Sequence, residues 1–276
     1  MQNYELLERG LILIHAYEVD VAKFLQGIIT NDINLLKTQA CIYSFMLCAQ
    51  GRYLFDFFIT KFQNGLLIDV DLKQKKALVE KLISYRMRLP IIFKDLTDEF
   101  QIFYSSLKPE NDMMCYQDPR YEKLGWRLIA NKHEVSLVNE KDIYISHKFD
   151  FVIPDGFTDM LQGKSFPIEY GAEALKAISY TKGCYVGQEV VSRAKYQGMI
   201  RKQIMRACAK YTIPKDIPNR SEVMANNIKI GELCSFSENT VMLLIRKDEY
   251  LSNKDYPITL ANNILLENFS SAPWQK

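Results

Sequence analysis

An unbroken apolar run at residues 11–14 reads as a buried strand. Asp20 then stands where a helix N-cap belongs, and Val21, Phe24, Leu25 and Ile28 follow at spacings that gather on one helical face. Thr30, Asn31 and Asp32 form a terminating turn. Residues 43–47 and 53–60 are aromatic-rich and strand-like, and Ala49, Gln50, Gly51 and Arg52 between them suit a tight turn. Residues 66–70 give a further strand after Asn64 and Gly65. Leu78, Leu82, Tyr85 and Leu89 recur every three or four residues, with Lys75, Lys76, Glu80 and Lys81 on the other faces, which is the pattern of an amphipathic helix. Pro90 ends that helix, and Ile91, Ile92 and Phe93 enter a strand. The first hundred residues thus read β-α-β-β-β-α-β, an α+β arrangement on a mostly antiparallel sheet.

Further on, the pattern predicts strands at 100–104, 126–130 and 134–138 and helices at 169–178 and 187–195. After Tyr211 the texture changes. Pro214 and Pro218 lie in a polar stretch, and short β-type runs follow at 228–236, 241–246 and 257–266. The breaks fall at Asn226-Asn227, Glu238-Asn239, Ser252-Asn253 and Asn262-Asn263, and asparagine tolerates the positive φ of tight turns. Short strands with regular turn signals predict a small barrel or sandwich, with a boundary near 204–215. The expected division is 1–205, subdivided near 95–100, and a β-barrel over 206–276.

Composition narrows the classes. At 276 residues the chain is long enough for two domains or more. Lysine plus arginine is 35 against 33 acidic residues, a net charge of +2 that argues against a dedicated nucleic-acid binder. Hydrophobic residues at 48% and charged residues at 25% exclude wholesale disorder. Gln2, Asn3 and Glu5 do not make a signal peptide, and no apolar run approaches the roughly 20 residues that span a bilayer. Six cysteines without a C-x-x-C pair read as reduced thiols, so the cytoplasm is the expected compartment. Gly163-Lys164-Ser165 mimics the end of a phosphate-binding loop, but position 158 is threonine where that loop needs glycine. His15, His133 and His147 lack zinc-ligand spacing, and no G-x-S-x-G elbow supports a serine triad.

One segment differs from ordinary core: Lys182, Gly183, Cys184, Tyr185, Val186, Gly187, Gln188 and Glu189. Two glycines bracket a cysteine, so the backbone can turn sharply and expose the sulfur. Gly187 opens a helix, which places Cys184 just before a helix N-terminus, where the dipole together with Lys182 and Arg193 favours the thiolate. Gln188 and Glu189 offer polar groups to a ligand. The alternative is a structural cysteine buried in a loop. Arg193, Lys195, Arg201 and Lys202 follow without an intervening acid, a basic strip that reads either as an anion-binding surface or as a solvated helix face.

The octapeptide K-G-C-Y-V-G-Q-E with Arg193 resembles the signature of the YgfZ family, folate-binding relatives of the glycine-cleavage T-protein (aminomethyltransferase). Companion segments come in the family's order: Asp20 with Phe24-Leu25-Gln26-Gly27 and Thr30-Asn31-Asp32, Gln50-Gly51-Arg52 with Asp56, Tyr85 with Arg88, Asp118-Pro119-Arg120 with Leu124-Gly125-Trp126-Arg127, then Ile153-Pro154 and Pro167-Ile168-Glu169. The resemblance covers residues 7–205, and the remainder fits the family's C-terminal barrel. It implies a T-protein-like α+β fold of several subdomains around a cavity for tetrahydrofolate or a folate derivative, with folate contacts at Asp56 and Arg52. It also implies a role in assembly or repair of iron–sulfur proteins, particularly 4Fe–4S ones, and an indirect link to tRNA thio-modification. The family's cysteine maps onto Cys184, a reactive thiol and transient iron ligand, with no stable metal site. Two departures point to an altered folate pocket: Tyr170-Gly171-Ala172-Glu173 replaces an Asn-Leu-Asp-like segment, and Leu11 stands where some relatives carry tryptophan.

The expected function is therefore a folate-binding iron–sulfur maintenance factor using Cys184, with iron–sulfur client or carrier proteins as partners and no membrane. A folate-dependent one-carbon transferase would rely on Asp56 rather than on the thiol. A non-enzymatic adaptor would use the basic strip to dock a protein or tRNA.

Overall fold

The computed structural model describes residues 4–109, 113–131, 142–198 and 200–275. Strands β1 (Glu5–Leu7) and β2 (Arg9–His15) lead to helix α1 (Val21–Gln26), which Asp20 caps by accepting the N–H of Ala22 and of Lys23. The strands β3 (Cys41–Leu47), β4 (Tyr53–Phe62) and β5 (Gly65–Asp71) form an antiparallel meander. Helix α2 (Lys75–Arg86) returns the chain to β6 (Ile92–Asp95) and β7 (Phe100–Ser105). The helix ends three residues before the expected Leu89, because Met87 adopts a φ of 53°. Then come β8 (Met114–Gln117), β9 (Trp126–Asn131) and the helices α3 (Ile143–Phe151), α4 (Gly156–Asp159) and α5 (Gln188–Tyr196). The strand expected at 134–138, like His133, lies outside the described residues.

Side-chain alternation along the strands assigns the two faces. The first sheet runs β3-β4-β5-β2-β6. Ile42 and Met46 of β3, Ile12 and Ile14 of β2 and Ile68 of β5 share one core with Val21 and Leu25 of α1 and Leu78 and Leu82 of α2. Tyr43, Phe45, Leu11, Leu13 and Leu67 turn to the opposite face, into a larger core shared with Ile102 and Ile129 of the second sheet, whose order is β1-β7-β9-β8. That second core is where the buried charges and the candidate sites collect.

The remaining strands are β10 (Lys202–Ala209), β11 (Glu222–Ala225), β12 (Ile228–Ser237) and β13 (Thr240–Arg246), then helix α6 (Lys247–Asn253), β14 (Ile258–Leu260) and β15 (Ile264–Ser271). They close as a barrel in the order β10-β13-β12-β11-β14-β15. The β11–β12 hairpin turns on Asn226 and Asn227 at φ of 50° and 60°, the left-handed pair that a two-residue turn requires. Ile204, Cys234, Met242 and Leu244 leave the barrel's own core and pack into the larger one, so the barrel is docked by its outer surface.

The helix expected over 169–178 does not form. A single 3-10 turn (Pro167–Tyr170) ends at Gly171, which has a φ of 81°. Beyond it, the carbonyls of Lys176 and Ala177 accept from the Asn31 amide and the Thr30 hydroxyl instead of from helical N–H groups. Tertiary hydrogen bonds here take the place of the helix ladder.

Candidate functional site

The octapeptide is a docked loop ahead of α5. Cys184 is exposed at its surface, whereas Lys182 and Tyr185 are buried. The Lys182 ammonium donates to the carbonyls of Gln26 (2.6 Å), Ile29 (2.7 Å) and Asn31 (2.8 Å), and it lies 5.0 Å from the centre of the Tyr185 ring. Burial pushes its pKa down to about 8, with Asp32 acting against the fall. The Val186 N–H donates to the Gly27 carbonyl, and the Gln188 N–H to that of Tyr185. Gly187 has a φ of 85°, and a Cβ there would sit 2.7 Å from the Cys48 carbonyl oxygen, so this residue must be glycine for the loop to lie against the 48–51 turn. Gly183, by contrast, faces open space and needs no special φ.

Two expectations change. Lys182 does not serve as a charge held out toward Cys184, because its three N–H donors are committed to the carbonyls beneath the loop. The basic strip is largely neutralised: Arg193 pairs with Glu189 within α5, Lys195 with Glu173 and Lys202 with Glu169. Glu189 is thus a salt-bridge partner, and Arg193 is tied to its own helix. The helix does begin at Gln188, so Cys184 stands a few residues ahead of its N-terminus.

Asp56 is 4% exposed. Its carboxylate accepts the hydroxyls of Tyr43 (2.8 Å) and Tyr53 (2.9 Å). The Tyr53 bond depends on a β-bulge. Met46 pairs with Phe55 but Leu47 pairs with Tyr53, so Leu54 is an extra residue and Tyr53 swings to the Asp56 face of β4. A Cβ at Gly156 would come within 2.0 Å of the carboxylate, which therefore presses directly on the Asp155–Phe157 backbone. Arg52 reaches away from Asp56, lying 5.3 Å from the centre of the Phe166 ring and donating weakly to the Gly163 carbonyl (3.4 Å).

Asp155 and Phe157, on either side of Gly156 in the chain, help line a cavity of about 770 Å³ between the two sheets, α3, α4 and the barrel strand β12. Arg9, Asp71, Lys73, Tyr144, Lys148, Asp155 and Phe157 line it, together with Ser235 and Phe236 of the barrel. Neither Asp56, Arg52 nor any octapeptide residue is part of its wall. Burial alone would raise Asp155, but Lys148 and Arg120 outweigh it and hold the carboxyl well below the usual carboxylate range. Burial raises Asp71, whose carboxylate accepts the Lys73 backbone N–H at 2.9 Å.

The Asp118-Pro119-Arg120 and Leu124-Gly125-Trp126-Arg127 segments build the support for this wall. Arg120 is 1% exposed and donates to both Asp118 oxygens (3.0 and 2.8 Å), to Asp155 (3.0 Å) and to the Tyr144 hydroxyl (2.8 Å). Arg127 and Arg9 pair with Asp69, and the Arg127 guanidinium lies 4.0 Å from the centre of the Phe58 ring. Asp69, Asp118 and Asp155 thus pair with Arg9, Arg120, Arg127 and Lys148 in one largely buried group. Sequence reading singled out the arginine motifs but none of the cavity residues. Those come in small groups from β1, β2, the β5–α2 connection, α3, α4 and β12, elements far apart in the chain, so no single motif marks them. Asp155 alone had a nearby signal, in the adjoining Ile153-Pro154. Among the described residues, no cluster of three or more histidine, cysteine or acidic side chains is arranged to hold a metal ion.

No family model matches the chain. It is similar to proteins named iron-sulfur cluster assembly factor IBA57, or a homolog of it, mitochondrial. For the Homo sapiens protein the identity is 27% over 271 residues, covering 86% of this chain and 75% of that protein. For the Neurospora crassa protein it is 28%, covering 79% of this chain and 57% of that protein. For the Pyricularia oryzae protein it is 31%, covering 72% and 55%. The chain therefore spans little more than half the length of these fungal relatives. Among solved structures, glycine cleavage system aminomethyltransferase T from Bartonella henselae superposes with a TM-score of 0.72 at 12% identity, over 99% of this chain and 86% of that one. That likeness establishes the T-protein-like fold, including the barrel.

Proposed function

We propose that this chain is a folate-binding factor that supports assembly or repair of iron–sulfur proteins, particularly 4Fe–4S ones, with Cys184 as its reactive thiol. The carrying observation is the exposure of Cys184 on a loop whose neighbours Lys182, Tyr185 and Gly187 are all fixed by contacts. The names of the relatives point to the same process. Cys184 loses its proton and gives one thiolate ligand to iron, with the other ligands coming from a client or carrier protein.

The cavity fits a folate. Its volume of about 770 Å³ lies within the range of small-molecule sites, and Tyr144 and Phe157 give it aromatic walls. The Asp71 carboxylate suits the donor edge of a pterin, and Lys73, which lies 5.7 Å from the centre of the Phe157 ring, suits the carboxylates of a glutamate tail. Tetrahydrofolate, when bound, supplies a reduced ring able to carry a one-carbon unit. Arg120, Lys148 and Asp155 hold the wall's charges in place.

The transferase reading draws less support, since Asp56 is buried against Gly156 with both oxygens engaged by tyrosines. Docking of tRNA loses its motive with the neutralised strip. No helix is long and apolar enough to cross a membrane among the described residues. Reduced thiols suit any reducing compartment, the cytoplasm expected from the sequence as well as the mitochondrion in the relatives' names.

The test is complementation of a depleted cell with Cys184→Ser, reading client 4Fe–4S enzyme activity and, on the purified variant, tetrahydrofolate affinity. Activity is expected to fall while folate affinity stays at the wild-type value. Full activity would remove Cys184 from the mechanism.

A further inference from the structure

We infer that Lys182 is the positioning residue of Cys184, acting as a charged plug in a cage of three backbone carbonyls that fixes the thiol loop to the end of α1. The inference rests on the reading of Cys184 as the reactive thiol and assigns the loop's placement to a residue two positions away. The cage is made by Gln26, Ile29 and Asn31, where α1 gives way to the Thr30-Asn31-Asp32 turn. The end of a helix leaves carbonyls without intrahelical partners, and buried ones need a donor. An ammonium has three N–H donors, and each is used here at 2.6–2.8 Å, the length of charge-assisted bonds.

The surrounding contacts explain why this plug governs the loop. The Val186 N–H bonds to Gly27, and the Ser179 N–H to Thr30, on the two sides of Cys184. Tyr185 lays its ring against the same ammonium. Between Ser179 and Val186, Lys182 provides the charged tie to the platform, and Gly183 and Cys184 are exposed. Removing the ammonium leaves three carbonyls facing one another without a donor, so the loop must either admit water or lift. Cys184 then keeps its chemistry but loses its placement.

The cage also provides the test, because a small primary ammonium ion can refill it. In Lys182→Ala, hydrogen exchange of a peptide spanning 182–188 is expected to accelerate by about tenfold or more, the scale of one lost hydrogen bond to a charged group. Client 4Fe–4S enzyme activity should fall in parallel. Methylammonium should restore exchange protection and activity together. Tetramethylammonium, a cation with no N–H, should not. Wild-type exchange in the variant, or equal effects of the two ions, would overturn the inference. If Lys182→Ala does not fold, Lys182→Met retains the methylene stem and carries the same exchange comparison against wild type, with acceleration expected and unchanged exchange decisive against the plug. Full activity of Cys184→Ser would instead sink the role of the thiol, while the exchange result would still judge the cage by itself.

Discussion

Asp69 meets two arginines from different parts of the chain, Arg9 on the neighbouring strand and Arg127 on the second sheet. Its burial would raise its pKa, but Arg127 and Arg9 outweigh that and leave it below the ordinary value of 3.8. A depressed folded-state pKa means that the stabilisation is fully present above the unfolded value and is lost as pH falls through the folded one. Asp69→Asn should therefore cost about 3–5 kcal/mol near neutrality, since it removes the buried carboxylate that Arg9 and Arg127 share. It should also flatten the decline in stability below about pH 4. Urea unfolding of both proteins between pH 3 and 7 measures the two effects; a variant with an unchanged acid limb would show that Asp69 does not control it.

At the scale of elements, the turn after α1 and the octapeptide form one unit, although more than 140 residues separate them in the chain. Its two glycines carry opposite expectations. Gly187→Ala should cost about 1–3 kcal/mol, from the strain of a positive φ and the contact with the Cys48 carbonyl. Gly183→Ala should lie within about 0.5 kcal/mol of wild type, since nothing approaches its Cβ position. Chemical denaturation of the two variants side by side decides this, and equal losses would contradict the docking geometry. Most strands were legible because apolar runs and turn residues act locally, as at residues 11–14 and Asn226-Asn227. The helix expected at 169–178 was not, because Thr30 and Asn31 claim its carbonyls from a distant part of the sequence. Cys184 stood out through its neighbours, whereas Asp71 and Tyr144 became site residues only when separate elements met around the cavity.

Across the whole molecule, ties along the barrel's margin add to the apolar docking that holds it to the remainder. Arg206 pairs with Asp150 and Lys202 with Glu169, partly exposed pairs worth about 0–1 kcal/mol each. The C-terminal segment adds a clasp: the Trp274 indole N–H donates to the Phe151 carbonyl at 2.9 Å, and its ring covers Gly171. A Cβ on Gly171 would meet that ring at 2.2 Å. Gly171→Ala should displace the indole into water and shift tryptophan emission to the red; an unshifted spectrum would argue that the clasp is not closed in solution. The same architecture keeps the thiol out of the cavity wall. If folate alters the reactivity of Cys184, the influence is a coupling free energy between two separate sites, and such a coupling is reciprocal. If both bind as proposed, whatever factor folate imposes on the affinity of iron for the thiol, iron imposes on the affinity for folate, and any factor other than one makes each ligand a report on the occupancy of the other.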